Sequence, residues 1–522
     1  MTGTIPSIDP ATGKMIREFE LTSRDNLKEI IKQARSAQEG WAILNVKERV
    51  KALRPVLRFL IDNTDELTET ISRDNGKTRV DALATEILPA AMSFDYYLKH
   101  APKFLKPTST GTGNLLLANK RSKIVRVPFG VIGIISPWNY PFGIPFSEVI
   151  MALLAGNAVI LKTASETLAV GDSLNKCMKM AHIPNGLFNY VNMPGKEAGT
   201  AFLEEGINKI FFTGSVPVGK WLMAKAAETL TPLVLELGGN DPMLVCPDAD
   251  LFRAASGAVW GGLSNSGQSC AGVERVYVHS SVYDEFMKIL TEKVRNLRGG
   301  YGLNWDSDMG VITTENQYNT IQRHIKDSVE RGATIAAQSS MPVDKTLQRF
   351  IPATVLSNVT HDMLVMKEET FGPVLGVMKV DNMEEGIRLA NDSILGLTAS
   401  VWSKNHHKAI EIGKQLKAGA ITINDHLMTH GLAETPWGGF KESGIGRTHG
   451  RLGFDEMTQP QVIINDIMPF VKRNMWWHPY SENLYNGLKG IIKFLYGKGV
   501  IIRLRGLKQL MGILPRMFTK KP

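Results

Sequence analysis

Cys270 stands in GQSCAG (267–272), among residues small enough to let a carbonyl carbon approach its sulfur. A thiol of lowered pKa in such a setting is a nucleophile. ELGG (236–239) ends an apolar run with Glu236, a placement suited to general-base work. In PWN (137–139), Asn139 offers a side-chain N–H to a developing oxyanion. FTGSVPVG (212–219) carries Gly214 and Ser215 from a strand into a helix, where backbone N–H groups can meet a phosphate. Lys162, in LKTASE (161–166), suits a ribose hydroxyl or a phosphate, and EETFGPV (368–374) combines acids, an aromatic and a Gly-Pro turn. Taken singly, each has a purely structural reading: a buried cysteine, a strand-ending acid, a turn asparagine, a connector such as PWGGFKESGIGR (436–447). No G-x-G-x-x-G follows a suitable strand.

The elements that must position these residues are short apolar strands alternating with helices. VIGII (131–135), AVIL (158–161), LFNYV (187–191), KIFF (209–212) and PLVLEL (232–237) are apolar throughout, as strands buried on both faces are. With ten to fifteen helical residues between them, they predict a doubly wound α/β layout whose ligand sits at the strands' carboxyl ends. A second α/β block follows from Pro242: MLVC (243–246), RVYVH (275–279), PATVL (352–356), LTASVW (397–402) and AITIN (420–424). Residues 24–100 read as helices, and Asn114 to Val127 as an exposed hairpin.

Composition excludes several classes. At 522 residues, 43% hydrophobic and 21% charged, the chain is neither disordered nor a polytopic membrane protein. Three cysteines without a C-x-x-C pair argue against disulfide and zinc frameworks, and no metal is expected; a reducing cytoplasm fits. No secretory signal is visible at the start, and the most apolar stretch is broken by Pro137, Pro141 and Pro145. The net charge of +9 resides in the tail: from Val471 onward eleven Lys or Arg face one acid, Glu482, leaving −1 for residues 1–470. The body therefore lacks the charge of a nucleic-acid binder.

In their order along the chain, PWN, LK-x-x-x-E, FTGS-x-x-x-G, ELGG, GQSCAG, EETFGPV and PWGGFK-x-SG-x-GR resemble the aldehyde dehydrogenase superfamily, from about Asp9 to Ile463. The resemblance implies a cofactor domain (1–113 and 128–238), a catalytic domain (239–430) and a small β oligomerisation element (114–127 and 455–470), assembled as a homodimer or homotetramer. It implies Cys270 as nucleophile, Glu236 as general base, and Asn139 with the Cys270 backbone N–H as oxyanion hole. It further implies contacts to NAD or NADP from Trp138, Lys162, Ser165, Gly214, Ser215, Glu369 and Phe371, with Lys162 and Glu369 as the ribose pair. An aldehyde would be oxidised to its acid through a thiohemiacetal and a thioester.

Two positions depart from the family pattern. Ser165 stands where NAD-preferring relatives carry an acid, which leaves room for a 2′-phosphate. Arg451 stands near the place of an acid thought to assist the general base. Residues 471–522 have no counterpart in compact members. Leu484, Leu488, Ile491, Ile492 and Leu495 form one helical stripe, and Ile501, Leu504, Leu507, Leu510 and Leu514 another, with basic residues between and Trp476, Trp477 and Tyr480 before. Such a tail either lies peripherally on an anionic membrane, at its inner face, or docks its stripes on protein. Two rivals stay open: a succinate-semialdehyde-type dehydrogenase, and a non-catalytic membrane-associated scaffold.

Overall fold

The computed structural model describes residues 3–519. The first two residues of the expected cofactor domain and the last three of the tail (520–522) lie outside the described residues. The chain divides into two compact units, Met1–Lys106 with Arg126–Gln459, and Pro107–Val125 with Pro460–Pro522.

The larger unit holds two sheets. The first runs in the order Gly444–Ile445, Leu233–Glu236, Lys209–Thr213, Val131–Ile135, Ala158–Lys162, Phe188–Tyr190. All pairings are parallel except that of Gly444–Ile445, which caps one edge antiparallel. Strand order reverses between Val131–Ile135 and Lys209–Thr213, the topological switch point of a doubly wound sheet. Helices cover both faces because these strands are buried on both sides. Residues 24–104 supply one layer, and their apolar face (Leu27, Ile31, Ala34, Trp41) joins the sheet's core. Ser23 begins this layer by accepting from the Asn26 N–H, an N-cap that satisfies one otherwise orphaned donor.

The second sheet runs Thr334–Gln338, Thr354–Ser357, Val374–Val380, Val273–His279, Asp241–Val245, Thr398–Trp402, Ala420–Ile423, antiparallel only at its first pair. Beyond it the chain returns to the first core through Ala433, Phe454 and Met457. The strands expected at MLVC and RVYVH start earlier, at Asp241 and Val273.

The smaller unit is a three-stranded sheet with a helical pair. Its hairpin opens earlier than the sequence suggests: Thr108–Thr110 pairs antiparallel with Lys120–Pro128, while Leu115–Leu117 is a 3₁₀ turn rather than strand. Asn114 starts that turn by accepting from the Leu116 N–H, which outweighs the apolar run. Thr458–Asp466 is one outer strand, opposite Thr108–Thr110 across Lys120–Pro128, and residues 455–456 belong to the helix Gly450–Glu456 instead. The tail forms two helices, Glu482–Tyr496 and Val500–Met511, crossing where Gly490 and Gly506 leave room for backbone to meet backbone. The glycines that weaken each helix singly are thus the contact that joins the pair. Met475, Leu484, Ile491, Leu510 and Ile513 form its core, together with Leu116. Neither expected stripe is wholly inward: Ile492, Ile501 and Leu504 are exposed. Among the described residues no helix is long and apolar enough to cross a membrane.

Candidate active site

At the switch point, the loops leaving Val131–Ile135 and Lys209–Thr213 open a cleft of about 650 Å³. Trp138 and Asn139 line it from one loop, Gly214 and Ser215 from the other, and Glu236 from the adjacent strand end. Cys270, Glu369 and Phe371 line it from segments that precede strands Val273–His279 and Val374–Val380 of the second sheet. Eight of the ten expected site residues thus share one cleft.

Each is held by local chemistry. Ahead of Cys270 the backbone turns through three left-handed residues, Asn265, Ser266 and Gly267, and a side chain at Gly267 would overlap the Gly372 carbonyl. That bend is fixed by Asn265 Nδ2, which donates to the carbonyls of Asn139 (3.0 Å) and Gln268 (3.1 Å). Asn139 Nδ2 donates one N–H to the Gln268 carbonyl at 3.1 Å, leaving its second for the cleft. The Asn139 carbonyl accepts from buried Lys77 Nζ at 2.8 Å, and Asn75 Nδ2 donates to the Trp138 carbonyl at 2.8 Å. Phe371, at φ 48°, meets Trp138 edge-on at 5.5 Å, its loop held by Glu274, which accepts from the N–H groups of Thr370 and Phe371. Ser215 precedes the helix Val216–Ala226 without capping it by its side chain, so first-turn N–H groups are left for an anionic ligand. That open helix end, in a cleft of this size, fits a dinucleotide.

Charge is arranged around the thiol. Burial, reinforced by Glu369, Asp241 and Glu236, pushes the Cys270 thiol up, so the sulfur rests protonated and its attack needs a proton acceptor. Burial and the nearby Glu148 raise Glu236 well above the usual carboxylate range, which suits a base working near neutrality. Burial lifts Glu369 to about 7 against the Gly239 N–H that its Oε1 accepts at 2.9 Å.

Lys162 and Ser165 are not among the residues lining the cleft. Lys162 is buried at the end of the next strand, brought down to about 8 by burial against the opposing pull of Glu166. The expected pairing of Lys162 with Glu369 is therefore not a shared lining. Arg451 is exposed on its helix; from that segment Thr448 and His449 face Glu236 instead.

A second opening of about 780 Å³ reaches Cys270 from the opposite side, past Ile144, Trp260, Leu427, Met428 and Trp437. No Lys, Arg, Asp or Glu is among its described lining residues, and its one histidine, His430, is pushed down to about 4 by burial and is neutral. Sequence reasoning missed Lys77, Glu86, Glu148, Glu274 and His430. Lys77 sits in DNGKT, which reads as a surface turn; the usable signal for Glu148 was an acid inside an otherwise apolar helix, IPFSEVIMALL.

A thiol, a raised carboxylate and a free amide N–H around a dinucleotide-sized cleft fit an oxidoreductase. The chain belongs to the aldehyde dehydrogenase family, whose model matches residues 1–463. It is 38% identical to a 4,4′-diapolycopene aldehyde oxidase of Methylomonas sp. over 500 residues, covering 96% of this chain and 93% of that protein. It is 35% identical to a putative NADP(+) succinate-semialdehyde dehydrogenase of Mycolicibacterium smegmatis, covering 87% of each. Among solved structures, a Staphylococcus aureus betaine aldehyde dehydrogenase in complex with NAD+ superposes with TM-score 0.85 at 30% identity, over 91% of this chain and 94% of that one. The protein oxidises an aldehyde to an acid, in a family that uses NAD or NADP.

Proposed function

We propose that this chain oxidises a long apolar aldehyde with NAD or NADP, using Cys270 as nucleophile, while its tail rests on an anionic membrane surface. The uncharged pocket leading to the sulfur carries the substrate reading, because an anionic aldehyde entering it would lose its hydration with no cation to compensate. The match to the diapolycopene aldehyde oxidase supports it. That match spans 96% of the chain and so runs into the tail, whereas the succinate-semialdehyde relative stops at 87%.

Glu236 takes the thiol proton as the sulfur bonds to the carbonyl carbon. The second N–H of Asn139 and the Cys270 backbone N–H receive the charge on oxygen; one such donor is worth about 3–4 kcal/mol. A nicotinamide dinucleotide, when bound, supplies the hydride acceptor. Trp138, Gly214, Ser215, Glu369 and Phe371 hold it, with Lys162 and Ser165 behind them toward the ribose; Ser165 bears no charge to repel a 2′-phosphate. Once Glu236 has passed the thiol proton to solvent, it deprotonates a water that attacks the thioester carbon, and the acid leaves as the carbon–sulfur bond breaks. Subunits pair through the outer strand Thr458–Asp466, where Val462, Ile463 and Ile464 are exposed.

An aldehyde panel run with both cofactors tests the substrate. Long-chain alkanals are expected to exceed succinic semialdehyde in kcat/KM by at least about 100-fold, since leaving one buried charge unpaired costs several kcal/mol. The reverse preference overturns the apolar reading. The membrane reading rests on Trp477, Ile501, Ile502 and Leu504, all exposed, beside the basic residues Lys498, Arg503 and Arg505. Replacing Ile501, Ile502 and Leu504 by Gln leaves the helix-pair core intact. The triple variant is expected to lose flotation with phosphatidylglycerol vesicles by about tenfold or more. Undiminished flotation removes the membrane from the proposal.

A further inference from the structure

Beside Cys270, adjoining the opening past Ile144, His430 and Trp437, which line both, lies a narrow space of about 370 Å³ that is also lined by two carboxyl-bearing side chains. Glu236 enters from a strand end and Glu148 from the interior of the helix Gly143–Leu154. They are 6% and 4% exposed, and both Glu236 oxygens and Glu148 Oε2 lack a hydrogen-bond partner. We propose that these two carboxyl groups hold one proton between them, and that Glu148 thereby sets the pH at which Glu236 becomes available as a base. This rests on the reading of Glu236 as the water-activating base.

Two carboxylates in one dry space cannot both ionise cheaply, so the pair titrates as a unit in two steps. The groups around it do little to relieve the repulsion. His430 and His449 face the space but are held neutral by burial. The Cys270 thiol is protonated. Arg447 and the Trp437 indole draw Glu236 down, against burial and Glu148, which push it up. Burial alone lifts Glu148 to about 8, so neither member of the pair ionises as an ordinary carboxylate does.

The chemistry closes without another reactant. Glu236 takes a proton from water as the water oxygen bonds to the thioester carbon. The carbon–sulfur bond breaks, and the acid leaves. Cys270 departs as thiolate and recovers the proton from Glu236, while the proton on Glu148 stays in place. When Glu148 ionises at higher pH, its charge makes Glu236 a stronger base.

The hydrolytic half can be isolated with p-nitrophenyl acetate, whose acetyl group transfers to Cys270 with release of p-nitrophenolate and no redox step. The steady rate after the burst reads deacylation, followed from about pH 5.5 to 9.5. The native enzyme is expected to show a rising limb spread over two ionisations. Glu148→Gln is expected to keep the burst amplitude, to collapse the limb to one ionisation at least about 1 pH unit lower, and to lower the plateau about threefold or more, because the weaker base is less effective. Glu148→Asp restores two steps. A Glu148→Gln limb that stays in place overturns the proposal even if the rate falls, since a merely structural role lowers the rate without moving the limb. Should Glu148→Gln lose its burst through misfolding, an Asp variant with one ionisation does the same. Glu236→Gln separates the two readings: a limb that survives it overturns the base assignment itself, whereas its loss together with an unmoved Glu148→Gln limb overturns only the shared proton.

Discussion

Cys270→Ala is expected to lower kcat for aldehyde oxidation by a factor on the order of 10⁴ to 10⁶, because removing a nucleophile removes the whole covalent route. No other thiol can substitute. Cys177 and Cys246 are buried away from the cleft, and burial holds the Cys246 thiol at about 12. Cys270→Ser is expected to recover little, since a hydroxyl is far less readily ionised than a thiol. The side chain packs against Leu427, Ala271, Leu397 and Trp437, and losing one sulfur at that half-buried place changes stability modestly. Thermal midpoint and dinucleotide affinity should therefore stay close to those of the native enzyme while turnover vanishes. Iodoacetamide gives an independent measure: one equivalent is expected to label the native protein with loss of activity, and none the Ala variant. An Ala variant keeping more than a hundredth of native turnover would show that chemistry proceeds without the sulfur.

The site was legible in the sequence wherever chemistry coincided with a strand end. VIGII, KIFF and PLVLEL mark the three strands whose carboxyl ends carry Asn139, Ser215 and Glu236, and their uniform apolarity reports burial on both faces. Val374–Val380 escaped because it opens inside EETFGPV, a segment read for its chemistry rather than as a strand, and Thr334–Gln338 because TIAAQ has no strand character apart from its partner. Lys162 was assigned from its strand end and from the LK-x-x-x-E segment of the resemblance, which show the edge a residue occupies but not where its ammonium reaches. In the tail, periodicity identified the helices but not their faces. The crossing at Gly490 and Gly506 rotates Leu510 inward and leaves Ile501 and Leu504 outside, and nothing in a single helix's pattern encodes its partner's position. Glu148 has the same cause: its helix is buried all round, so no polar face announces which residue meets the site.

Lys77→Met is expected to destabilise the protein by about 3–5 kcal/mol, since it strips the counter-charge from a buried carboxylate. Lys77 and Glu86 are both fully buried, with Lys77 Nζ donating to Glu86 Oε1 at 2.7 Å and to the Asn139 carbonyl at 2.8 Å, its ammonium 4.4 Å from the Tyr140 ring centre. Glu86 Oε2 accepts from the N–H groups of Phe142 and Gly143 at the start of the helix that bears Glu148. Glu86 itself lies in a π-turn, Leu83–Ile87, which sets its carboxyl beneath the PWN loop. One ion pair thus ties the oxyanion loop to that helix. In Lys77→Met/Glu86→Gln the uncompensated charge is gone and the Gln carbonyl still accepts from the helix start, so more than half of the lost stability should return. Activity should return only in part, because the Asn139 carbonyl then keeps the Asn265 amide but has lost the Lys77 ammonium. Urea unfolding and kcat, measured on the two variants and on native protein, therefore separate along different axes. Single and double variants equally unstable would mean that the pair's hydrogen bonds, rather than its charges, hold the loop; a single variant within about 1 kcal/mol of native would mean that water reaches Glu86 and the pair is not dry.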